Sequence, residues 1–335
     1  MGNRTALITG ITGQDGSYTA ELLLLKGYKV FGTTRNASLA KTNLTPGLLG
    51  QIELLEWNVG DQQRITEILG SCRPQELYNF AACSYGSAMY DDPVEISEVN
   101  GLAVVRILEA IRRIDRSIRF CQASSREIFG ADSESPQSEQ TPPNPRSPYG
   151  AAKLFADSMV RIYRRHYGIF ACSAVLFNHE SPRRGLQFVT RKIACEAARI
   201  RMGFAKSLSL GNLEARRDWG FAGDYVRAMW LMLQQPGPDN FVLASGQTYS
   251  VREFCEYAFE YLGLDYRNYV EQDSAAYRPA EASLLVGNCL KAKRQLGWEP
   301  SVGFRDLVCM MVESEIQSLR EKSSSMKGNG FVQKS

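Results

Sequence analysis

The stretch that opens the chain limits the fold more than any other. Thr5-Ala6-Leu7-Ile8-Thr9 is a short apolar run of strand type. It leads straight into Gly10-Ile11-Thr12-Gly13-Gln14-Asp15-Gly16, after which Ser17 to Lys26 reads as a helix closed by Gly27. A strand, a glycine turn and a helix in that order form a phosphate cradle. Glycines let the backbone approach a pyrophosphate, and the helix N-terminus faces its charge. The spacing is G-x-x-G-x-x-G rather than G-x-G-x-x-G, and the flanking strand and helix give the turn its meaning.

The pattern then repeats. Lys29 to Thr33 is a second strand, followed by Thr34-Arg35-Asn36 instead of the acidic side chain that would hold a free ribose 2′-hydroxyl. An arginine there accommodates a 2′-phosphate, so NADP is expected over NAD, with Arg35 as its contact. Ile52 to Trp57 is a third strand ending at Asn58-Val59, where an adenine would lie, and Gln62 to Leu69 a helix. Glu76 to Phe80 is a fourth strand ending in Ala81-Ala82-Cys83-Ser84. Val94 to Ile114 is a long helix interrupted at Asn100-Gly101, and Arg119 to Ala123 is a fifth strand. Alternating strands and helices predict an α/β fold with a doubly wound parallel Rossmann sheet. Ligands of such sheets sit at the carboxyl ends of the strands, so Gly10, Arg35, Asn58, Ala81 and Ser125 are expected to share one cofactor cleft.

Chemistry enters between Gln122 and Lys153. The strand end would deliver Ser125 and Glu127, and a helix through Tyr167 would deliver Tyr149 and Lys153, four residues apart and on one face. A free tyrosine titrates near 10, too high for proton transfer at neutral pH. A neighbouring ammonium favours the phenolate, and a hydroxyl such as that of Ser125 would share the substrate oxygen. Such a set makes or unmakes a carbonyl.

Composition excludes several alternatives. With 39 basic and 36 acidic residues in 335, the net charge of +3 is too small for a nucleic-acid surface. No apolar run reaches membrane-spanning length, and no signal-peptide pattern precedes Thr5. The eight cysteines are scattered with no C-x-x-C, which fits a reducing cytoplasm. Two histidines make a histidine-based metal site improbable, and no metal is expected.

Several further segments carry a resemblance. Gln122-Ala-Ser-Ser-Arg-Glu127, Pro145-Arg-Ser-Pro-Tyr-Gly-Ala-Ala-Lys153 and Leu176-Phe-Asn-His-Glu-Ser-Pro-Arg-Arg-Gly185 are three of them. Phe188-Val-Thr-Arg-Lys192, Arg217-Asp-Trp-Gly220 and Arg278-Pro-Ala-Glu281 are the others. With the N-terminal turn, they make the chain resemble an extended short-chain dehydrogenase/reductase, and within that group the GDP-mannose 4,6-dehydratases, from residue 4 to about 315. The Asn178-to-Arg184 and Arg217-to-Gly220 segments are specific to this branch.

The resemblance implies roles position by position. Ser125, Glu127, Tyr149 and Lys153 fall on the catalytic positions. Gly10, Ile11, Thr12, Gly13, Gln14, Asp15, Gly16, Arg35, Asn58, Val59, Ala81, Ala82, Ser84, Lys153, His179 and Arg184 fall in the NADP site. Asn178, Val189, Lys192, Arg217, Arg278 and Glu281 fall on the side of the sugar nucleotide, whose diphosphate needs basic partners. The implied reaction is an internal redox dehydration. Tyr149 takes the 4-hydroxyl proton, Glu127 takes the C5 proton, water leaves from C6, and NADP ends as it began. The alternatives are a dehydratase of a related sugar such as GDP-manno-heptose, or an NADP-dependent 4-reductase or epimerase, which needs no second base. A homodimer or homotetramer is implied as well.

The chain departs from the family at Ser125 for Thr, Arg126 for Ser, Asn36 for a second Arg, Asn58 for Asp and Cys83 for Gln. A guanidinium of Arg126 turned into the site would weaken Glu127 as a base; on the far side of an extended segment it would do little.

Residues 1–178 are expected to form the NADP-binding domain, with returns near 207–244, and 179–320 a smaller α/β lobe for the sugar nucleotide. Ala171 to Phe177, Ser207 to Leu210, Phe241 to Ala244 and Leu284 to Val286 are expected strands. Val189 to Arg201, Tyr225 to Leu233, a helix opened by the capping box Ser250-Val-Arg-Glu253 and running through Tyr261, and Phe304 to Leu319 are expected helices. From Glu321 the Lys-, Ser- and Gly-rich composition predicts a disordered tail.

Overall fold

The computed structural model describes residues 4–36, 38, 44–84, 88–130, 134–273 and 285–329. Six strands come first: β1 Thr5–Thr9, β2 Lys29–Thr34, β3 Ile52–Glu56, β4 Glu76–Asn79, β5 Arg119–Ala123 and β6 Ala171–Leu176. Four short ones follow: β7 Asn178–Glu180, β8 Leu208–Leu210, β9 Arg216–Arg217 and β10 Trp219–Phe221. Then come β11 Phe241–Leu243, β12 Tyr249–Ser250 and β13 Val270–Gln272.

The central sheet has the order β11-β6-β5-β4-β1-β2-β3, with every pair parallel. It is the doubly wound sheet that the alternation predicts. β4 and β6 are buried at every position, as strands covered on both faces must be. One face packs on the Gln14–Leu25 and Ala222–Gln234 helices, with Leu23, Met229, Met232 and Trp298 in that core. The other packs on the Gln62–Cys72, Ala103–Ile114 and Pro148–Tyr167 helices through Leu69, Ile107, Ile111 and Val160. Strand order reverses between β1 and β4, which opens a crevice at their carboxyl ends.

A second core lies beyond the sheet. Phe304, Leu307, Val308, Met311, Val312 and Ile316 follow a helical spacing along one face of the Phe304–Asn329 helix. They meet Ile193 and Ala197 of the Val189–Arg201 helix and Phe254 and Phe259 of the Val251–Tyr261 helix. The capping box at Ser250 and Glu253 is formed with both its hydrogen bonds.

Three sequence expectations need correction, and a fourth gains detail. Leu208–Leu210 is not a return to the large sheet: it pairs with β13 and packs in the second core. Its buried-exposed-buried pattern belongs to a half-covered strand, whereas β11 is buried throughout and does return, beside β6. The expected strand at 284–286 is absent where it is described; residue 284 lies outside the described residues, and only Gly287 bridges, to Gln137. The last helix runs to Asn329, so 321–329 are helical rather than disordered, and 330–335 lie outside the described residues. The interruption at Asn100-Gly101 is a π-helical turn, Glu98–Leu102, between the helices Pro93–Ser97 and Ala103–Ile114.

Asp218 staples the second lobe to the sheet edge. Its buried carboxylate accepts from Ser245 N at 2.8 Å, Ser245 Oγ at 2.6 Å, Gly246 N at 3.0 Å and Gly287 N at 3.1 Å. Asp218→Ala would strand buried donors, so it should lower the unfolding free energy by about 3 kcal/mol, read from urea denaturation. Asp218→Asn, which keeps one acceptor oxygen, should lose less.

Candidate active site

The floor of the crevice is built from buried polar side chains on adjacent strands. Thr9 Oγ1 donates to Asn79 Oδ1 at 2.5 Å and accepts from Phe80 N and Ala81 N at 3.1 and 3.0 Å. Asn79 Nδ2 donates to Gln122 Oε1 at 2.7 Å, and Gln122 Nε2 donates to Ala123 O at 2.8 Å. The turn after β1 presses on this floor. Gly10 has φ +66°, and a Cβ there would stand 2.9 Å from Ala81 N; a Cβ on Gly16 would stand 2.4 Å from Gly10 O. Gly13 caps the Gln14–Leu25 helix without any side-chain hydrogen bond, so the first N–H groups remain for an anion. The helix starts at Gln14, inside the glycine motif rather than after it.

Two side chains of the turn face the next layer of protein instead of the crevice. Gln14 Nε2 donates to His179 O at 3.1 Å, and its Oε1 accepts from Ser181 Oγ at 2.7 Å. Asp15 Oδ2 lies 2.9 Å from His179 Nε2, while His179 Nδ1 lies 2.8 Å from Phe177 O. With an acceptor at each ring nitrogen, the imidazole is best satisfied doubly protonated. Burial opposes both charges. The pair nevertheless overcomes it, leaving the His179 pKa above its ordinary value and that of Asp15 below. The ring also stacks on Tyr225, with centroids 4.9 Å apart. Arg184 is held by Glu180 at 3.1 Å, and its guanidinium lies 3.5 Å from the centroid of the Phe188 ring.

The Pro148–Tyr167 helix brings up the central pair. Ser147 caps it by accepting from Gly150 N at 3.0 Å, and Pro148 fixes its first turn. Tyr149 and Lys153 are both buried on its inner face. Lys153 Nζ donates to Ala123 O at 2.8 Å and lies 5.7 Å from the Tyr149 ring centroid. Burial pulls the Lys153 pKa down to about 8, against the charges of Asp157 and Asp15. Burial pushes Tyr149 up, above the ordinary phenol range; a hydrogen bond from Ser125 works the other way, and the charge of Glu127 adds to the rise. The expected lowering of the tyrosine by its ammonium neighbour is not found: desolvation dominates, and the charge that works the other way is that of Arg184.

Ser125 and Glu127 leave β5 on a 3-10 turn, Arg126–Ile128, not on an extended segment. Ser125 Oγ caps it by accepting from Glu127 N at 3.2 Å. Arg126 is buried, and its Nη2 lies 2.9 Å from Glu127 Oε1. Ser125, Glu127, Tyr149, Lys153, Asp15 and Arg184 thus form one electrostatic cluster, since Tyr149 or Lys153 responds to each of the others.

The remaining sequence-predicted residues take these places. Arg35 follows β2, exposed, with Nη1 4.0 Å from Glu95 Oε1. Asn58 Oδ1 accepts from Gly60 N at 3.0 Å in the turn after β3, beside buried Val59. Ala81, Ala82 and Ser84 follow β4. Asn178 begins β7, and its buried Oδ1 has no hydrogen-bond partner. Val189 opens its helix; Lys192, one turn on, donates to Ser209 O at 2.7 Å. Arg217 lies in β9, with Nη1 donating to Arg216 O at 2.7 Å. Arg278 and Glu281 lie outside the described residues.

Sequence reading missed the supports. Asn100, in the π-helical turn, donates to Cys83 O and accepts from Cys83 N, each at 3.1 Å, and so fixes the strand exit beside the crevice. Asp157 accepts from Ser124 Oγ at 2.6 Å beneath Lys153. The one available signal was a polar residue inside an apolar strand or helix face, as at Asn79, Gln122 and Asp157. Among the described residues no group of three His, Cys, Asp or Glu could hold a metal ion.

Comparisons with known proteins agree with one another. The sequence profile described as GDP-mannose 4,6 dehydratase matches residues 7–311. GDP-mannose 4,6 dehydratase 2 of Arabidopsis thaliana is 46% identical over 335 residues, covering 95% of this chain and 89% of the relative. The Cricetulus griseus GDP-mannose 4,6 dehydratase is 42% identical, covering 95% and 92%. Among solved structures, the UDP-glucose 4-epimerase of Thermus thermophilus in complex with NAD superposes with a TM-score of 0.79 at 25% identity, covering 93% of this chain and 98% of its own.

The Asp15–His179 pair ties the glycine turn to β7. A group with a raised pKa stabilises the fold below its unfolded value and loses that contribution as the pH rises through its folded value; for the lowered Asp15 the loss comes on acidification. His179→Phe should therefore destabilise the protein at pH 6 and do so less at pH 9, compared by urea unfolding at both. An equal loss at both pH values would remove the charge from the explanation.

Proposed function

The chain belongs to the GDP-mannose 4,6-dehydratase family, and on that premise we propose that it converts GDP-D-mannose to GDP-4-keto-6-deoxy-D-mannose, using bound NADP. The observation that carries this reading is the convergence of Glu127, Ser125 and Tyr149 at the end of β5. A reductase or an epimerase needs one proton-transfer group at C4; elimination across C5 and C6 needs a second base.

The residues present suit a dinucleotide. The uncapped N-terminus after Gly13 would take the pyrophosphate, and the close approach at Gly10 keeps the turn flat beneath it. Arg35 would hold a 2′-phosphate, the reason for preferring NADP, and Lys153 and His179 would flank the nicotinamide half. Asn178, with its unpaired buried oxygen, Val189, Lys192 and Arg217 would line the sugar-nucleotide side.

When bound, the nicotinamide supplies a reversible hydride acceptor, positively charged when oxidised, beside a phenol whose burial disfavours its anion. Ser125 and Tyr149 hold the sugar 4-oxygen between them, and its proton passes to Tyr149 as the phenolate, the form that the positive charge of an oxidised nicotinamide would favour. Lys153, gripping Ala123 O, keeps positive charge next to the phenol. With a carbonyl at C4, the C5 proton is acidic. Glu127 takes it, the C5–H electron pair forms the C5=C6 double bond, and the 6-hydroxyl leaves with that proton as water. C6 would then take the hydride back while C5 takes a proton from solvent, so no net oxidation of the cofactor would result.

Purified protein given GDP-mannose should yield a 4-keto-6-deoxy product by mass spectrometry, release NADP on denaturation and consume no added NADPH. Glu127→Gln should cut product formation by about 10²- to 10⁴-fold. No product from any GDP-hexose or GDP-heptose refutes the assignment.

We also place the protein in the cytoplasm, on the strength of eight free thiols, and infer that it dimerises. Leu102, Phe155 and Ile162 lie exposed on adjacent helices, and the close approach of Gly101 to Phe155, 3.2 Å from a Cβ to the ring, joins them into one face. None of the described helices is long and apolar enough to cross a membrane. The double change Phe155→Glu and Ile162→Glu should shift the molar mass seen by light scattering to that of the monomer, with the fold retained by circular dichroism.

A further inference from the structure

Arg126 is the only buried arginine among the described residues. A guanidinium out of water is unfavourable unless it meets an anion in good geometry. Here the anion is the carboxylate of its neighbour, Glu127, with Nη2 to Oε1 at 2.9 Å. Adjacency does not explain the contact, because successive side chains on a helical turn point away from one another. The two have to bend toward each other.

The pair is also asymmetric. The Arg126 side chain is 7% exposed and that of Glu127 26%, so the guanidinium lies behind the carboxylate and the carboxylate faces outward. The backbone beneath it is fixed twice. Glu127 N donates to Ser125 Oγ, and Glu127 O lies where a Cβ on Gly150 would come within 2.3 Å, so the turn packs hard on the helix of Tyr149. What this backbone leaves loose is the Glu127 side chain, with its three rotatable bonds.

We propose that Arg126 is the positioning residue of the eliminating base. It grips Oε1 from the buried side and aims Oε2 at the sugar. The inference rests on the reading of Glu127 as the group that takes the C5 proton. Arg126 itself touches neither substrate nor cofactor, and its effect falls on the elimination and not on the transfer at C4. The same grip stops the carboxylate from turning to the Tyr149 hydroxyl, whose charge balance it already influences.

The test separates the two half-reactions in Arg126→Met and Arg126→Lys. Oxidation at C4 is followed as transient absorbance of the reduced nicotinamide in a single turnover. Proton removal is followed as solvent deuterium entering C5. Arg126→Met should leave the first within about threefold and slow the second by about tenfold to a hundredfold, a share of what a well-placed base contributes. Arg126→Lys, which retains the charge, should recover most of the loss. C5 exchange within about twofold of the parent in Arg126→Met overturns the proposal, and so does an equal fall in both half-reactions, which marks a merely structural residue. If Arg126→Met does not fold, Arg126→Lys decides: a loss confined to C5 exchange supports the proposal, and an unchanged or evenly lowered pair of rates overturns it. Glu127→Gln keeps the failures apart. If it still eliminates, the base assignment falls; if it is dead while Arg126→Met exchanges normally, only the positioning role falls.

Discussion

A buried chain of polar side chains crossing the three central strands holds the site together. Thr9 on β1, Asn79 on β4 and Gln122 on β5 bond one to the next, and the chain ends on Ala123 O, which also receives the Lys153 ammonium. None of these side chains reaches water, so each bond that fails would leave a buried group unsatisfied, at a cost of about 1–3 kcal/mol. The chain therefore fixes the register of β1, β4 and β5 more strictly than apolar packing would. It also connects the turn at Gly10 to the helix of Tyr149, because Thr9 Oγ1 receives Ala81 N at the point where Gly10 presses on that segment. Glycine turn, strand exit and lysine form one connected unit.

Charge is treated differently on either side of this floor. Asp15 and His179 are both largely out of water and sustain each other's ionisation, which joins the turn to β7. For Tyr149 and Lys153 burial prevails instead, although Asp157 lies one turn beyond the lysine on the same helix. Burial moves each toward its neutral form, the phenol upward and the ammonium down to about 8. Buried ion pairs contribute little net stability but fix geometry when both members are held. The structure uses paired charges to hold its shape. Where proton transfer is proposed, it keeps groups whose charge state is easily changed.

Much of this was legible in the sequence, for reasons that differ by region. β1, β5 and the Val189–Arg201 helix run where periodicity puts them, because the strands are buried almost throughout and the helix buries one face at helical spacing. The capping box at Ser250 was readable because it is local. Leu208–Leu210 was misplaced because a short apolar run says that a strand exists and not which sheet receives it. The turn at Arg126 was the harder miss. Nothing in Ser125-Arg126-Glu127 tells a 3-10 turn from an extended segment, and the side on which Arg126 lies follows from Gly150 packing on Glu127 O, a contact distant in sequence. The supports at Asn79, Gln122, Asn100 and Asp157 escaped because a polar residue in an apolar run has many explanations until its partner is known.

The likeness to a UDP-glucose 4-epimerase across nearly the whole length of both chains shows how little of this architecture is specific to one reaction. A doubly wound sheet, a glycine turn and a tyrosine four residues before a lysine serve any exchange between an alcohol and a carbonyl. What adds elimination, on the proposed reading, is a carboxylate two residues past the strand-end serine, and that requirement is steric before it is chemical. Glu127 approaches the Tyr149 helix so closely only because residue 150 lacks a side chain; any Cβ there would displace the turn and carry the carboxylate with it. The chemistry proposed for this chain is thus conditioned by a missing methyl on one helix and a buried guanidinium on the facing turn, both invisible in the outline of the fold.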